Sequence, residues 1–209
     1  VSIPTSIVTV PSVKGRPWLQ TARGLAWCAD APEAFPYDIR EFAHSLAHLS
    51  RFVGHGLWDY SVAHHSVLVA REVERMAVAG PFAQRDHVVL QALCRAALLH
   101  DAAEAFWGDM AAPVKRLPEL AGYRALISRT EAAIAAHFDL SPWRLHAAIQ
   151  YADLRLLATE KRDVLGPSSH DDDWGVDLPP PRAEVIAPLS IGTARQSFVD
   201  AWVSFGGSL

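Results

Sequence analysis

His65, His100, Asp101, Glu104 and Asp153 have the types and the spacing to do chemistry. They stand in "SVAHHSVLVA", "LLHDAAEAFWGDM" and "RLHAAIQYADLRLLATE". In the first stretch Val62, Leu68, Val69, Val73 and Met76 recur at helical spacing, and His65 falls on that apolar stripe. Its neighbour His64 lines up with Arg71 and Arg75 and leans toward the wetter face. In the second, Ala92, Leu93, Ala96 and Ala97 form the stripe; His100 and Asp101 continue it, and Glu104 follows one turn later on the same face. In the third, Asp153 shares a stripe with Leu145, Ile149, Leu156 and Leu157. A lone histidine on an apolar face is usually a hydrogen-bonded core residue, and an adjacent His-Asp can be a local pair. Three helices that each turn ligand-type side chains inward are a different matter. A buried unpaired carboxylate is costly, and a divalent cation offsets the cost. Two imidazoles and two carboxylates suit a first-row divalent ion and leave coordination positions for water and substrate.

The elements that must position these groups can be read along the chain. Residues 1–36 are rich in prolines and β-branched residues and read as an extended arm or short hairpin. Asp38 is a fitting N-cap for a first helix whose apolar positions are Ile39, Phe42, Ala43, Leu46 and Leu49. "RFVGHGLWDY" is a loop. A second helix runs from about Ser61 to Ala79 and stops at Gly80-Pro81, and a third runs from about Gln84 to Glu104. Gly108 and Pro113 punctuate the next loop, and "PELAGYRALISRTEAAIAAHF" is a fourth helix. Ser141-Pro142 reads as cap and first-turn proline of a fifth, through Leu165. Residues 166–182 are a loop, and residues 183–209 hold a closing helix. The expectation is an all-α fold: one domain over 1–209, with five to seven main helices in which 38–165 form the metal-binding core.

Composition narrows the partners. The 209 residues are half hydrophobic and one fifth charged, which is ordinary for a globular protein with a real core. A net charge of −4 gives no reason to expect a nucleic-acid polymer or an anionic membrane as partner. No apolar run is long enough to span a bilayer, and the first residues lack the pattern of a signal peptide. Cys28 and Cys94 form no disulfide framework, so the cytoplasm is the expected location. His44, His48 and His146 read as structural or surface residues.

Taken in order, "VAHHSVLVA", "LLHDAAEAFWGDMAAPVKRL" and "ADLRLLATE" resemble the HD-domain metal-dependent phosphohydrolases, and within them the 5′-deoxynucleotidase type and its phage-associated relatives. The resemblance covers residues 38–165. It implies an all-helical fold around one divalent metal ion, whether Mn, Co, Zn, Fe, Ni or Mg. It implies His65, His100, Asp101 and Asp153 as metal ligands and Glu104 as the catalytic group near the attacking water. Asp109, in "GD", matches a substrate-side carboxylate; Lys115, in "PVK", and Arg51, in "SRF", match basic residues near the phosphate. Where the family pattern has Arg-Trp, this chain has Arg51-Phe52. The tryptophan is associated with rejecting a 2′-hydroxyl, so the smaller ring implies looser sugar selection.

The function expected is metal-dependent release of phosphate from a small-molecule nucleotide, with deoxynucleoside 5′-monophosphates favoured. The same site could serve another phosphoester: a dNTP, a cyclic nucleotide or a guanosine polyphosphate. A non-catalytic nucleotide-binding module is the reading of another class, and the presence of all four ligand types with Glu104 argues against it. A homodimer is compatible with the family, although no interface stripe stands out in the sequence.

Overall fold

The carboxylate of Asp38 accepts the backbone N–H of Arg40 at 2.8 Å and starts α1 (Ile39–His48) where the sequence places it. The computed structural model describes residues 13–79, 82–142, 146–169 and 174–209. Before α1, a hairpin pairs β1 (Trp18–Gln20) antiparallel with β2 (Ala26–Cys28), Trp18 opposite Cys28. Gly24, at φ +77°, makes its turn in a region that side chains avoid. After α1 come α2 (Val62–Ala79), α3 (His87–Leu98), α4 (Glu104–Trp107), α5 (Ala112–Lys115), α6 (Ala121–His137), α7 (Ala147–Asp163) and α8 (Ile191–Ser204). The fold is all-α, and the hairpin is the only sheet among the described residues.

Helix α2 is the axis of the molecule. It packs against α1, α3, α7 and α8. Val62, Val69, Val73 and Met76, on the predicted stripe, are fully buried. Asp86 caps α3 through the amides of Val88 and Val89, and Ser190 caps α8 through Thr193. The hairpin is pinned to the helices by Trp27, which stacks on Phe106 at 4.7 Å and meets Trp107 edge-on at 5.4 Å. The arm thus braces α4, the element that begins with Glu104.

The expected third helix, from Gln84 to Glu104, is two elements. Helix α3 ends at Leu98, and the chain turns before α4 starts at Glu104. The His100 ring nitrogen Nδ1 lies 2.8 Å from the Ala97 carbonyl, which also receives the His100 amide. That carbonyl is the one a continued helix would offer to the amide of Asp101. Bonds of the tighter i→i+3 kind then carry the chain through Ala102 and Glu104. The stop at Gly80-Pro81 lies outside the described residues. Residues 143–145, Leu145 included, lie outside them too, but Ser141-Pro142, the expected cap and first turn of the fifth helix, are described and are not helical: α7 begins at Ala147, after an extended His146. Residues 1–12 of the arm and 170–173 of the late loop also lie outside them.

Candidate metal centre

Three segments bring four ligand-type side chains together. The first turn of α2 supplies His65, which is fully buried. The turn after α3 supplies His100 and Asp101, and α7 supplies Asp153. His65 Nε2 lies 3.3 Å from His100 Nε2, 3.2 Å from Asp153 Oδ1 and 3.7 Å from Asp101 Oδ2. His100 Nε2 lies 3.2 Å from Asp101 Oδ2 and 3.9 Å from Asp153 Oδ1. One ligand atom each from His65, His100 and Asp101 falls within 4.8 Å of the others. Asp153 was expected to face the core. Its side chain is instead 44% exposed, so it stands at the mouth of the cluster.

The donor set fits a cation. A carbonyl only accepts, so His100 Nδ1, 2.8 Å from Ala97 O, carries the hydrogen. His65 Nδ1 lies 2.5 Å from Glu160 Oε1 and carries its hydrogen by the same reasoning. In their neutral forms both rings therefore aim an Nε2 lone pair at the other, with carboxylate oxygens alongside. Such an arrangement attracts positive charge. Burial and the Arg51 charge oppose protonation of His65, yet Glu160 and Asp153 outweigh them and push its pKa up to about 9. His100 is raised as well, against burial, by the charge and hydrogen bond of Asp101. Burial alone would raise Asp101; the imidazoles and Arg51 hold it below the usual carboxylate range. A divalent ion answers the same demand.

Beside this cluster lies a carboxylate group of another kind. Glu104 is buried, and its Oε1 accepts a 2.6 Å hydrogen bond from Lys115 Nζ. Its Oε2 has no hydrogen-bond partner among the described residues. Burial, then the negative charges of Asp101 and Asp109, push Glu104 up to about 8 even though Lys115 opposes them. Asp109 follows Gly108, whose φ of +77° permits the turn out of α4, and its Oδ1 comes within 4.0 Å of Lys115 Nζ. Burial raises the Asp109 carboxyl, against the pull of Arg51 and Lys115. Lys115, at the end of α5, thus ties Glu104 and Asp109 together.

Arg51 is at the cluster too, but it is already engaged. Its side chain is mostly buried, with one terminal nitrogen 3.1 Å from Glu160 Oε2 and the other 3.5 Å from Asp101 Oδ2. The ring of Phe52 sits 5.4 Å from the Arg51 guanidinium carbon. Phe52 and Val53 both adopt left-handed φ, 56° and 55°, which side chains of their kind rarely take. The strained backbone thus lies next to the site. His64 departs from expectation: it is buried, with 7% exposure, and its ring meets Tyr60 edge-on at 5.1 Å. Burial, then the neighbouring His65 charge, pushes its pKa down to about 4.

Two residues escaped the sequence reading. Glu160 touches His65 and Arg51, and Tyr60 donates its hydroxyl to Glu160 at 2.8 Å. The signal for Glu160 was present: it lies seven residues after Asp153, two helical turns on, hence on the same face. For Tyr60, in a loop, no periodicity could have marked it.

Comparison with known proteins places the chain among relatives. The family described as 5′-deoxynucleotidase YfbR-like matches residues 44–141, a stretch that holds His65, His100, Asp101, Glu104, Asp109 and Lys115 and ends before Asp153. The uncharacterized protein YfdR of Escherichia coli K12 is 34% identical over 166 residues, 78% of this chain and 80% of the relative. An uncharacterized protein of Rhodobacter capsulatus is 33% identical over 171 residues, 79% of this chain and 82% of that one.

Proposed function

This chain belongs to the YfbR-like 5′-deoxynucleotidase family of the HD-domain superfamily, and from that premise we propose that it is a metal-dependent phosphohydrolase of nucleotides that favours deoxynucleoside 5′-monophosphates. The observation that carries the reading is the convergence of His65 Nε2, His100 Nε2, Asp101 Oδ2 and Asp153 Oδ1. These four residues would hold the metal. When bound, a divalent ion supplies Lewis acidity toward phosphoryl oxygens and water.

The chain's own residues do the rest. Asp153, at the exposed side of the cluster, leaves the approach for substrate open. Glu104 handles the proton of the attacking water at Oε2, the oxygen that Lys115 does not occupy. Its elevated pKa supports that role, because a carboxyl that titrates near neutrality can take up and return a proton. Lys115 holds Glu104 in place and brings positive charge for the phosphate. Arg51 adds a second cation on the Asp101 side. Asp109, next to Lys115, faces the substrate. Phe52, against Arg51, bears on the sugar. Residues 1–209 act as one HD-type unit whose hairpin braces α4.

No helix among the described residues is long and apolar enough to cross a membrane. The test is a panel of nucleoside mono-, di- and triphosphates with Mn²⁺, Co²⁺, Zn²⁺ and Mg²⁺, read by phosphate release and chromatography. Release of inorganic phosphate from deoxynucleoside monophosphates is the expected result. Pyrophosphate or triphosphate as product would move the substrate to a longer nucleotide. Binding without hydrolysis under every metal would refute the enzyme.

A further inference from the structure

Glu160 is fully buried near the end of α7, and donors from two separate segments close on it. His65 Nδ1 lies 2.5 Å from Oε1, Tyr60 donates to that same oxygen at 2.8 Å, and Arg51 donates to Oε2 at 3.1 Å. We propose that Glu160 is the positioning residue of the metal centre: it fixes the Nδ1–H tautomer of His65 and so aims the Nε2 lone pair at the metal, while Tyr60 and Arg51 hold the carboxylate still. The inference rests on the metal-centre reading above and deepens it.

Three observations carry it. First, the partners of Glu160 differ from those of Glu72, a fully buried glutamate on α2 itself. Glu72 is held by Arg75, Arg155 and Arg182, all cations and none of them in the His65 cluster. Charge neutralisation explains Glu72 completely. Glu160 also has its arginine, but its shortest contact runs to the ring whose far nitrogen faces His100 and Asp153. An imidazole that gives one N–H to a carboxylate keeps a lone pair on the other nitrogen and becomes a stronger donor there.

Second, the two imidazoles are supported unequally. His100 gives its Nδ1 hydrogen to a neutral carbonyl, that of Ala97, whereas His65 gives its own to an anion. His65 is therefore the more basic ligand of the pair.

Third, the fold delivers these parts as units. Asp153 and Glu160 lie two turns apart on one face of α7, so a single helix supplies one ligand and the group that orients a ligand on α2. Ser50 and Ser61 form an isolated antiparallel bridge, and the Arg51 amide bonds the Tyr60 carbonyl at 2.8 Å. The loop between them thus brings its two holding donors to Glu160 together.

The experiment uses the full chain, with Co²⁺ alone as probe. Cobalt affinity is measured by chelator competition, and the His65 ring nitrogens are followed by ¹⁵N NMR in metal-free protein at a pH above the raised His65 pKa of about 9, where the ring is neutral and its tautomer can be read. Glu160→Gln should weaken cobalt binding by about 10–100-fold, the range for losing a support of a ligating histidine, and should move the His65 signals toward a mixture of tautomers. Tyr60→Phe should act in the same direction by less than Glu160→Gln. Glu72→Gln should lower thermal stability and leave both readouts unchanged. Unchanged affinity and unchanged His65 signals in folded Glu160→Gln overturn the proposal. Should that variant not fold, Tyr60→Phe decides on the same two readouts, and no change in either overturns it. A wild type that binds no cobalt would sink the metal centre instead, and the metal-free His65 signals would still decide the tautomer.

Discussion

His65 Nε2 and His100 Nε2 lie 3.3 Å apart although 35 residues separate them in sequence. Two ring nitrogens face each other there with carboxylates around them, and in the neutral rings the hydrogens sit on the Nδ1 atoms, toward Glu160 and Ala97. His65→Ala and Asp153→Ala should therefore lose bound metal and phosphohydrolase activity together, as measured by metal content after gel filtration and by phosphate release. Stoichiometric metal at unchanged affinity in either variant would strike that residue from the ligand set. His64→Ala should retain the metal, because the His64 ring packs against Tyr60 rather than in the cluster.

Helical periodicity turned His65 inward on α2, but His100 and Asp101 reach the same place from the turn after α3, beyond the helix on which they were read, and Asp153 reaches it from a partly exposed position on α7. The start of α1 was legible because Asp38 carries its own capping chemistry. What periodicity could not show is where a helix stops when a side chain takes over a backbone carbonyl, as His100 does with Ala97. Nor could it show how far a helix is covered. Arg71 and Arg75 are exposed on the line that passes through His64, yet the first turn of α2 is enclosed and His64 with it. For Glu160 the spacing gave the face, two turns on from Asp153, but not the partners: which atoms it meets across the fold is not legible in periodicity.

Lys115 separates the phosphate clamp from the metal cluster. It touches Glu104 and Asp109 but no proposed ligand, so Lys115→Ala should keep the metal and weaken turnover by about 1.5–3 kcal/mol, the worth of a charge-assisted contact. Lys115 also lowers the Glu104 pKa, so its removal should shift the acid limb of the rate profile to higher pH. A rate and profile identical to wild type would refute the clamp. Arg51→Ala should behave differently: Arg51 meets Asp101 and Glu160, so metal affinity should fall along with turnover.

Acid stability offers a test remote from the site. Hydrogen bonds from the Arg40 side chain and backbone hold the Asp38 carboxyl below its ordinary 3.8. A carboxyl depressed in the folded state contributes stability above its unfolded pKa and loses it as pH falls through the folded value. Asp38→Ala should cost about 1 kcal/mol at pH 7, typical of a lost N-cap. The deficit should shrink as pH falls from about 4, where Asp38 of the unfolded chain begins to protonate, through the lower pKa of the folded cap. Urea unfolding of both proteins at pH 7 and pH 3 measures it; a deficit that does not change with pH would mean that the charge of Asp38 contributes nothing.

Glu104 separates an enzyme from a binding module. It stands apart from the four converging ligand atoms, and Lys115 engages one of its oxygens while the other has no hydrogen-bond partner among the described residues. Glu104→Gln keeps the shape and still offers Lys115 an amide oxygen, but it removes the basic oxygen that takes a proton. Metal and nucleotide should bind nearly as in wild type, while turnover falls by roughly 10²–10⁴-fold, the range for general acid–base help. Metal loading, calorimetric nucleotide affinity and single-turnover hydrolysis, measured side by side, distinguish the cases. Full activity in Glu104→Gln would remove Glu104 from proton transfer. A fall in metal loading equal to the fall in rate would instead make Glu104 a ligand, because a group that only moves a proton has no reason to change how tightly the ion is held.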